Sequence, residues 1–147
     1  MSILYFRVFT IFALLTLLIS PRLFAESAPV VLKSLARIGV MSTAGVRATA
    51  YVTRLDPEKS AGATHRVRVV FVNERTGAAI EKGLVGIKYR RLYGAAIEPV
   101  WMESTPVQPE VFVADMILPQ HGTYLFIVGS KLEDDKKRQF TFQYLYR

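Results

Sequence analysis

The chain contains no cysteine. That excludes disulfides, thiolate catalysis, cysteine metal sites and lipoprotein attachment, which needs a cysteine at the cleavage site. Histidine is nearly absent, His65 and His121 being the only two. No Gly-x-Gly-x-x-Gly, Walker or Gly-x-Ser-x-Gly pattern occurs, so phosphate loops and a nucleophile elbow are excluded as motifs. Beyond the N-terminal segment no stretch carries a helical period, an internal repeat or a low-complexity tract. Acidic residues are outnumbered by basic ones, 12 against 19.

One long apolar run is present, Val8–Ile19. It is shorter than a membrane span needs, and it follows Arg7 and precedes Pro21. Residues 1–25 are therefore expected to be a secretory signal peptide, cleaved after Leu23-Phe24-Ala25. The competing reading is a retained N-terminal anchor. Arg7 and Arg22 lie in this segment, so 17 of the basic residues and all 12 acidic ones remain beyond it, a net charge of +5. Export argues against a nucleic-acid partner and points to the periplasm or a secreted location. The remaining 122 residues suffice for one core without disulfides.

Residues 26–44 read as a lead-in, and 45–147 as the folded domain. Period-2 alternation recurs along the domain. Ala48, Ala50 and Val52 oppose Arg47, Thr49 and Tyr51. In His65–Glu74, Val67, Val69 and Phe71 oppose Arg66 and Arg68. Val85, Ile87 and Tyr89 oppose Lys88 and Arg90. Phe112, Ala114, Met116 and Leu118 share one face, and Tyr124, Phe126 and Val128 another. Phe140, Phe142, Tyr144 and Tyr146 are also in phase. Asp56-Pro57, Arg75-Thr76-Gly77, Pro119-Gln120-His121-Gly122 and Glu133–Lys137 read as turns. About seven strands at this spacing predict an all-β, immunoglobulin-like antiparallel sandwich.

Leu118–Tyr124 resembles the corner before the penultimate strand of immunoglobulin-like sandwiches, where a Gly permits a tight turn and a Tyr two residues later bonds back to it. Tyr124 would hold that role. More broadly, His65, Thr76-Gly77, Val85 to Tyr89, Met102 and Gly122-x-Tyr124 follow one another as in small periplasmic domains of the YtkA-like and FixH-like type. The chain is similar to that group over roughly Arg47 to Arg147. The resemblance implies copper handling, or assembly of copper-dependent complexes. The chain departs from a copper pattern in having two histidines and no methionine cluster.

Three candidate chemistries follow. A copper site would draw on His65, Met102 and His121, since thioether and imidazole ligands need no cysteine; Met41 is a further sulfur. Met116, on an apolar strand face, reads as core. A basic sheet face would comprise Arg66, Arg68, Lys88 and Arg90, continued by Arg91, if their strands pair. Acid–base catalysis would need converging carboxylates. Glu98, Glu103 and Glu110 look like surface positions, while Asp115 inside an apolar strand suits an Arg partner or a bond to a turn. No enzyme is expected. An outer-membrane barrel is disfavoured by too few strands and by the terminal Arg147.

The reading is thus an exported, non-enzymatic binding or accessory module of the periplasm or cell envelope. It would recognise a protein or anionic envelope partner through a sheet face. The alternatives are a copper-associated periplasmic protein and a structural subunit of a cell-surface assembly.

Overall fold

The computed structural model describes residues 35–95, 100–104 and 108–147. The expected signal peptide and Glu98 lie outside them. Nine strands are present: β1 (Ala36–Thr43), β2 (Val46–Arg54), β3 (His65–Asn73), β4 (Ala79–Ile80), β5 (Gly83–Arg91), β6 (Val100–Ser104), β7 (Val111–Met116), β8 (Gly122–Leu132) and β9 (Lys137–Tyr146). Every pairing between them is antiparallel.

The hydrogen-bonded order is β1-β2-β3-β7-β6-β5-β8-β9, with the two-residue β4 continuing along β3 beyond β7. Folded into two layers, β2-β3-β7-β6 faces β5-β8-β9, the strand order of a constant-type immunoglobulin sandwich. β6 joins the layers, because Val100–Met102 pair with β5 while Glu103 and Ser104 pair with β7. The expected all-β antiparallel architecture is borne out. Within the stretch expected to be a lead-in, Ala36–Thr43 forms β1 and pairs with β2. Its side chains do not alternate in sequence because the register shifts between Arg37 and Gly39.

Alternation builds the core as expected. Ala48, Ala50 and Val52 of β2, Val67, Val69 and Phe71 of β3, and Val85 and Ile87 of β5 are all buried. So are Phe126 and Val128 of β8 and Phe140 and Phe142 of β9. At the centre of one end Phe71 meets Phe112 and Phe140, each at 5.6 Å between ring centroids. Tyr124 Oη donates to the Gln120 carbonyl at 2.9 Å, so the predicted corner is formed.

The seam between β1 and β9 closes without a strand ladder. Gly39 makes the approach possible, since a Cβ there would stand 3.0 Å from the Phe142 ring. The Thr141 amide donates to Met41 Sδ at 3.2 Å across the seam. At the end nearest the β1–β2 turn, the buried Arg138 acts as a clamp. Its guanidinium donates to both carboxylate oxygens of Asp134 and to the carbonyls of Lys136 (3.3 Å) and Ala44 (3.2 Å). Ala44 and Gly45 both have positive φ, at 48° and 75°, as a two-residue hairpin turn requires. A left-handed Ala is disfavoured by roughly 1–2 kcal/mol, and the Arg138 contact holds that residue's carbonyl in place.

Two outcomes follow. Arg138→Met should cost about 2 kcal/mol in urea unfolding, the scale of charged hydrogen bonds, and should speed amide exchange at Ala44 and Gly45. Tyr124→Phe should cost about 1 kcal/mol while leaving the far-ultraviolet spectrum unchanged.

Candidate functional site

The inward phase of β3 that buries Val67, Val69 and Phe71 also turns His65 inward, and the residue is 1% exposed. The backbone before it is tied on both sides. The Thr64 amide donates to the Met116 carbonyl at 3.1 Å, and the Leu55 amide donates to the Thr64 carbonyl at 2.8 Å. Thr64 Oγ1 accepts the Leu118 amide at 2.9 Å and shares a 2.8 Å hydrogen bond with His65 Nδ1. Nε2 of the same ring is buried with no hydrogen-bond partner. A buried polar atom left without a partner is costly in a folded interior and calls for an explanation.

Aromatic rings enclose the imidazole. Tyr146 lies 4.5 Å from it between centroids, edge to face, and Tyr144 lies 5.7 Å away. The two tyrosine rings are nearly parallel at 6.5 Å, and Tyr144 stacks in turn on Phe126 at 6.0 Å. His121, exposed in the β7–β8 corner, packs on the same Tyr146 ring at 4.6 Å. The Arg54 guanidinium stands 5.0 Å from the Tyr146 centroid, and its Nη2 donates to the Arg147 carbonyl.

The site's electrostatics favour a neutral imidazole. Desolvation, and after it the Arg54 charge, lower the His65 pKa from its ordinary 6.5. The ring is therefore in the form that can offer a nitrogen lone pair at neutral pH.

The arrangement brings together His65 and His121, both on Tyr146. It also sets Met116 directly across from His65, as its β3–β7 register partner. Opposed residues of an antiparallel pair project to the same face about 5 Å apart at Cβ. Met116, read from sequence as core, is indeed buried, and its thioether is the sulfur nearest in register to His65. Met102 is buried on β6 with Val85 as its register partner. Met41 accepts the Thr141 amide. Tyr144, Tyr146 and Arg54 were not read from sequence as members of this cluster. The shared phase of the β9 aromatics was visible, but which rings meet His65 depends on pairings remote along the chain. Among the described residues no group of three or more His, Asp or Glu could hold a metal.

The expected basic stripe is not continuous. β3 and β5 do not pair, since β7 and β6 stand between them. Arg66 and Arg68 thus lie on the outer face of one layer, and Lys88 and Arg90 on that of the other. Arg66 is engaged bidentately by Asp115 at 2.6 and 2.7 Å, one of the two kinds of partner anticipated for that acid. Arg68 donates to Thr53 Oγ1 at 2.9 Å, and Arg90 to the Gly94 carbonyl at 3.5 Å. Glu103 is exposed. Among the described residues no helix is long and apolar enough to cross a membrane.

No family model and no curated protein matches the sequence. Solved structures do match the fold. A DUF4426 family protein from Pseudomonas aeruginosa PAO1 aligns with a TM-score of 0.57 at 15% identity, covering 73% of this chain and 94% of its own. A copper-bound variant of FetP from uropathogenic Escherichia coli strain F11 aligns with a TM-score of 0.62 at 8% identity, covering 76% and 97%. FetP of the same strain, as isolated after recombinant expression in the periplasm, gives 0.57 at 9%, covering 77% and 97%. At these identities the likeness is one of fold.

Because the folded domain favours neutral His65, that preference stabilises it fully above the unfolded value near 6.5. The contribution is lost as pH falls through 6.5 towards the lower folded value. Melting temperature should therefore drop between pH 7.5 and 5, and His65→Phe should flatten the slope. An identical slope in that variant would refute the assignment.

Proposed function

We propose that the chain is an exported accessory module that holds copper at the His65 end of its sandwich, in the periplasm, and catalyses no reaction of its own. The observation that carries this reading is the buried, unpartnered Nε2 of His65, a residue whose register partner across β7 is Met116. The fold shared with copper-bound FetP and the predicted signal peptide are consistent with it.

The donor chemistry fits the metal. Imidazole and thioether suit copper without help from cysteine or carboxylate. His65 Nε2, Met116 Sδ and His121 would hold the ion. Bound copper would supply a soft, redox-capable cation. The protein's own contribution is to prepare and protect the ligands. Thr64 Oγ1 fixes the His65 ring through Nδ1, as the outer partner of a metal-bound histidine does. Arg54 and the dry surroundings suppress ring protonation, which would otherwise compete with metal. Tyr144 and Tyr146 exclude water from the ring.

The test is Cu(I) titration, against a chromogenic chelator, of the chain purified from a periplasmic extract. One copper per chain is expected. Thr64→Ala, His65→Phe and Met116→Leu should each weaken binding by about tenfold or more, and Lys88→Ala should not. Substoichiometric copper, or undiminished binding when His65 and Met116 are replaced together, would sink the proposal.

A further inference from the structure

The outer face of the β6-β5-β8-β9 layer carries a groove of about 440 Å³, remote from His65 along the strands. Its floor is one row across the sheet, in which Trp101, Gly86, Gly129 and Gln139 are successive register partners. One wall is the row Leu84, Lys131 and Lys137. The other holds Lys88 and Ile127. Trp101 is 69% exposed and Leu84 65%. Lysines mark both walls, and among the described residues no Asp or Glu lines the groove.

The glycines are the informative residues. β8 is paired on both sides, and glycine inside such a strand weakens it, by roughly 0.5–1 kcal/mol against alanine. Yet Gly129 has no positive φ, and a Cβ there would meet nothing within 4 Å. At Gly86 a Cβ would make only ordinary contact with the Trp101 ring, at 3.5 and 3.6 Å. Neither backbone conformation nor packing requires these glycines. A strand glycine with no internal reason marks a place where something else approaches closely. Lys131 and Lys137 add a second sign of cost. They are directly opposed like charges, which destabilises a strand pair, and among the described residues only Lys131 has an acidic partner, Asp135 at 2.8 Å.

We infer that this groove binds an acidic polysaccharide, a chain of pyranose rings bearing carboxylates. The indole rests against Gly86, and Gly129 beside it leaves an open floor on which a ring can lie. The exposed indole offers a π-face to its C–H surface, as aromatic rings do at polar-rimmed sites. The lysines, spread singly along both walls, meet single carboxylates spaced along the chain, and charge complementarity selects an anion over a neutral sugar. A concave trough suits a linear ligand better than a bilayer, which a protruding apolar surface would meet. This site shares no residue with the His65 cluster and does not depend on copper.

Trp101 is the only tryptophan, so its fluorescence reads the groove directly. Titration with oligogalacturonate should give a saturable change, with maltotriose giving none. Calorimetry should show loss of binding in Trp101→Ala and weakening of about three- to tenfold in Lys88→Ala. Gly129→Val is the decisive variant: open space receives its side chain and strand propensity favours it, so it should fold at least as stably while blocking the trough. Copper binding should be unchanged in all three. Undiminished oligogalacturonate binding in Gly129→Val would overturn the inference. So would no binding at all, or binding confined to phosphatidylglycerol vesicles or to polyglutamate.

Discussion

The phase of one strand governs much of this molecule. Once Val67, Val69 and Phe71 of β3 are committed to the interior, the period of two leaves His65 no choice but to follow them. The hydrophobic gain from the strand thus places a titratable ring in dry surroundings at the sandwich end. Everything arranged around that ring compensates for its position: the Thr64 hydroxyl on one nitrogen, the tyrosine rings about it, and the Arg54 charge that disfavours its protonated form. What remains uncompensated is Nε2, the atom on which the copper proposal rests.

The two ends of the sandwich meet the same difficulty in different ways. At the His65 end the interior is capped by aromatic rings with few hydrogen bonds among them. At the other end a buried cation, Arg138, gathers a carboxylate and two carbonyls into a clamp. The first arrangement leaves a donor atom spare. The second spends almost all of its donors on the fold, with only Nε left over beside the partnerless Ser130 hydroxyl. The second end serves closure of the β1–β9 seam, and the first is the end at which copper binding is proposed.

Much of this was legible in the chain because it is local. Alternation identified the buried face of β2, β3, β5, β7, β8 and β9. The Gly122-x-Tyr124 spacing gave the corner bond, and Asp115 inside an apolar strand pointed to an arginine or a turn, of which the structure supplies Arg66. What was not legible is what depends on which strands meet. Arg66 and Lys88 have the same local pattern, and nothing in either segment says that β7 and β6 separate them. β1 escaped notice because a register shift at Arg37–Gly39 breaks its alternation. Tyr144 and Tyr146 were seen to share a face, but their meeting with His65 joins residues some eighty positions apart. The groove glycines were equally silent, since Gly86 and Gly129 become a floor only through the β5–β8 register.

The unladdered seam has a mechanical consequence. β1 is hydrogen-bonded along one side only, to β2, and its first pair is Ala36 with Val52. A force on Ala36 directed across the strands, away from β2, would part them in the manner of a zipper, one pair at a time from Ala36–Val52 onward. Val52 lies two residues from Arg54, whose side chain rests against Tyr146. Tension from that direction would reach the imidazole end first and leave the tryptophan face slack, so a tether there would load the two surfaces unequally.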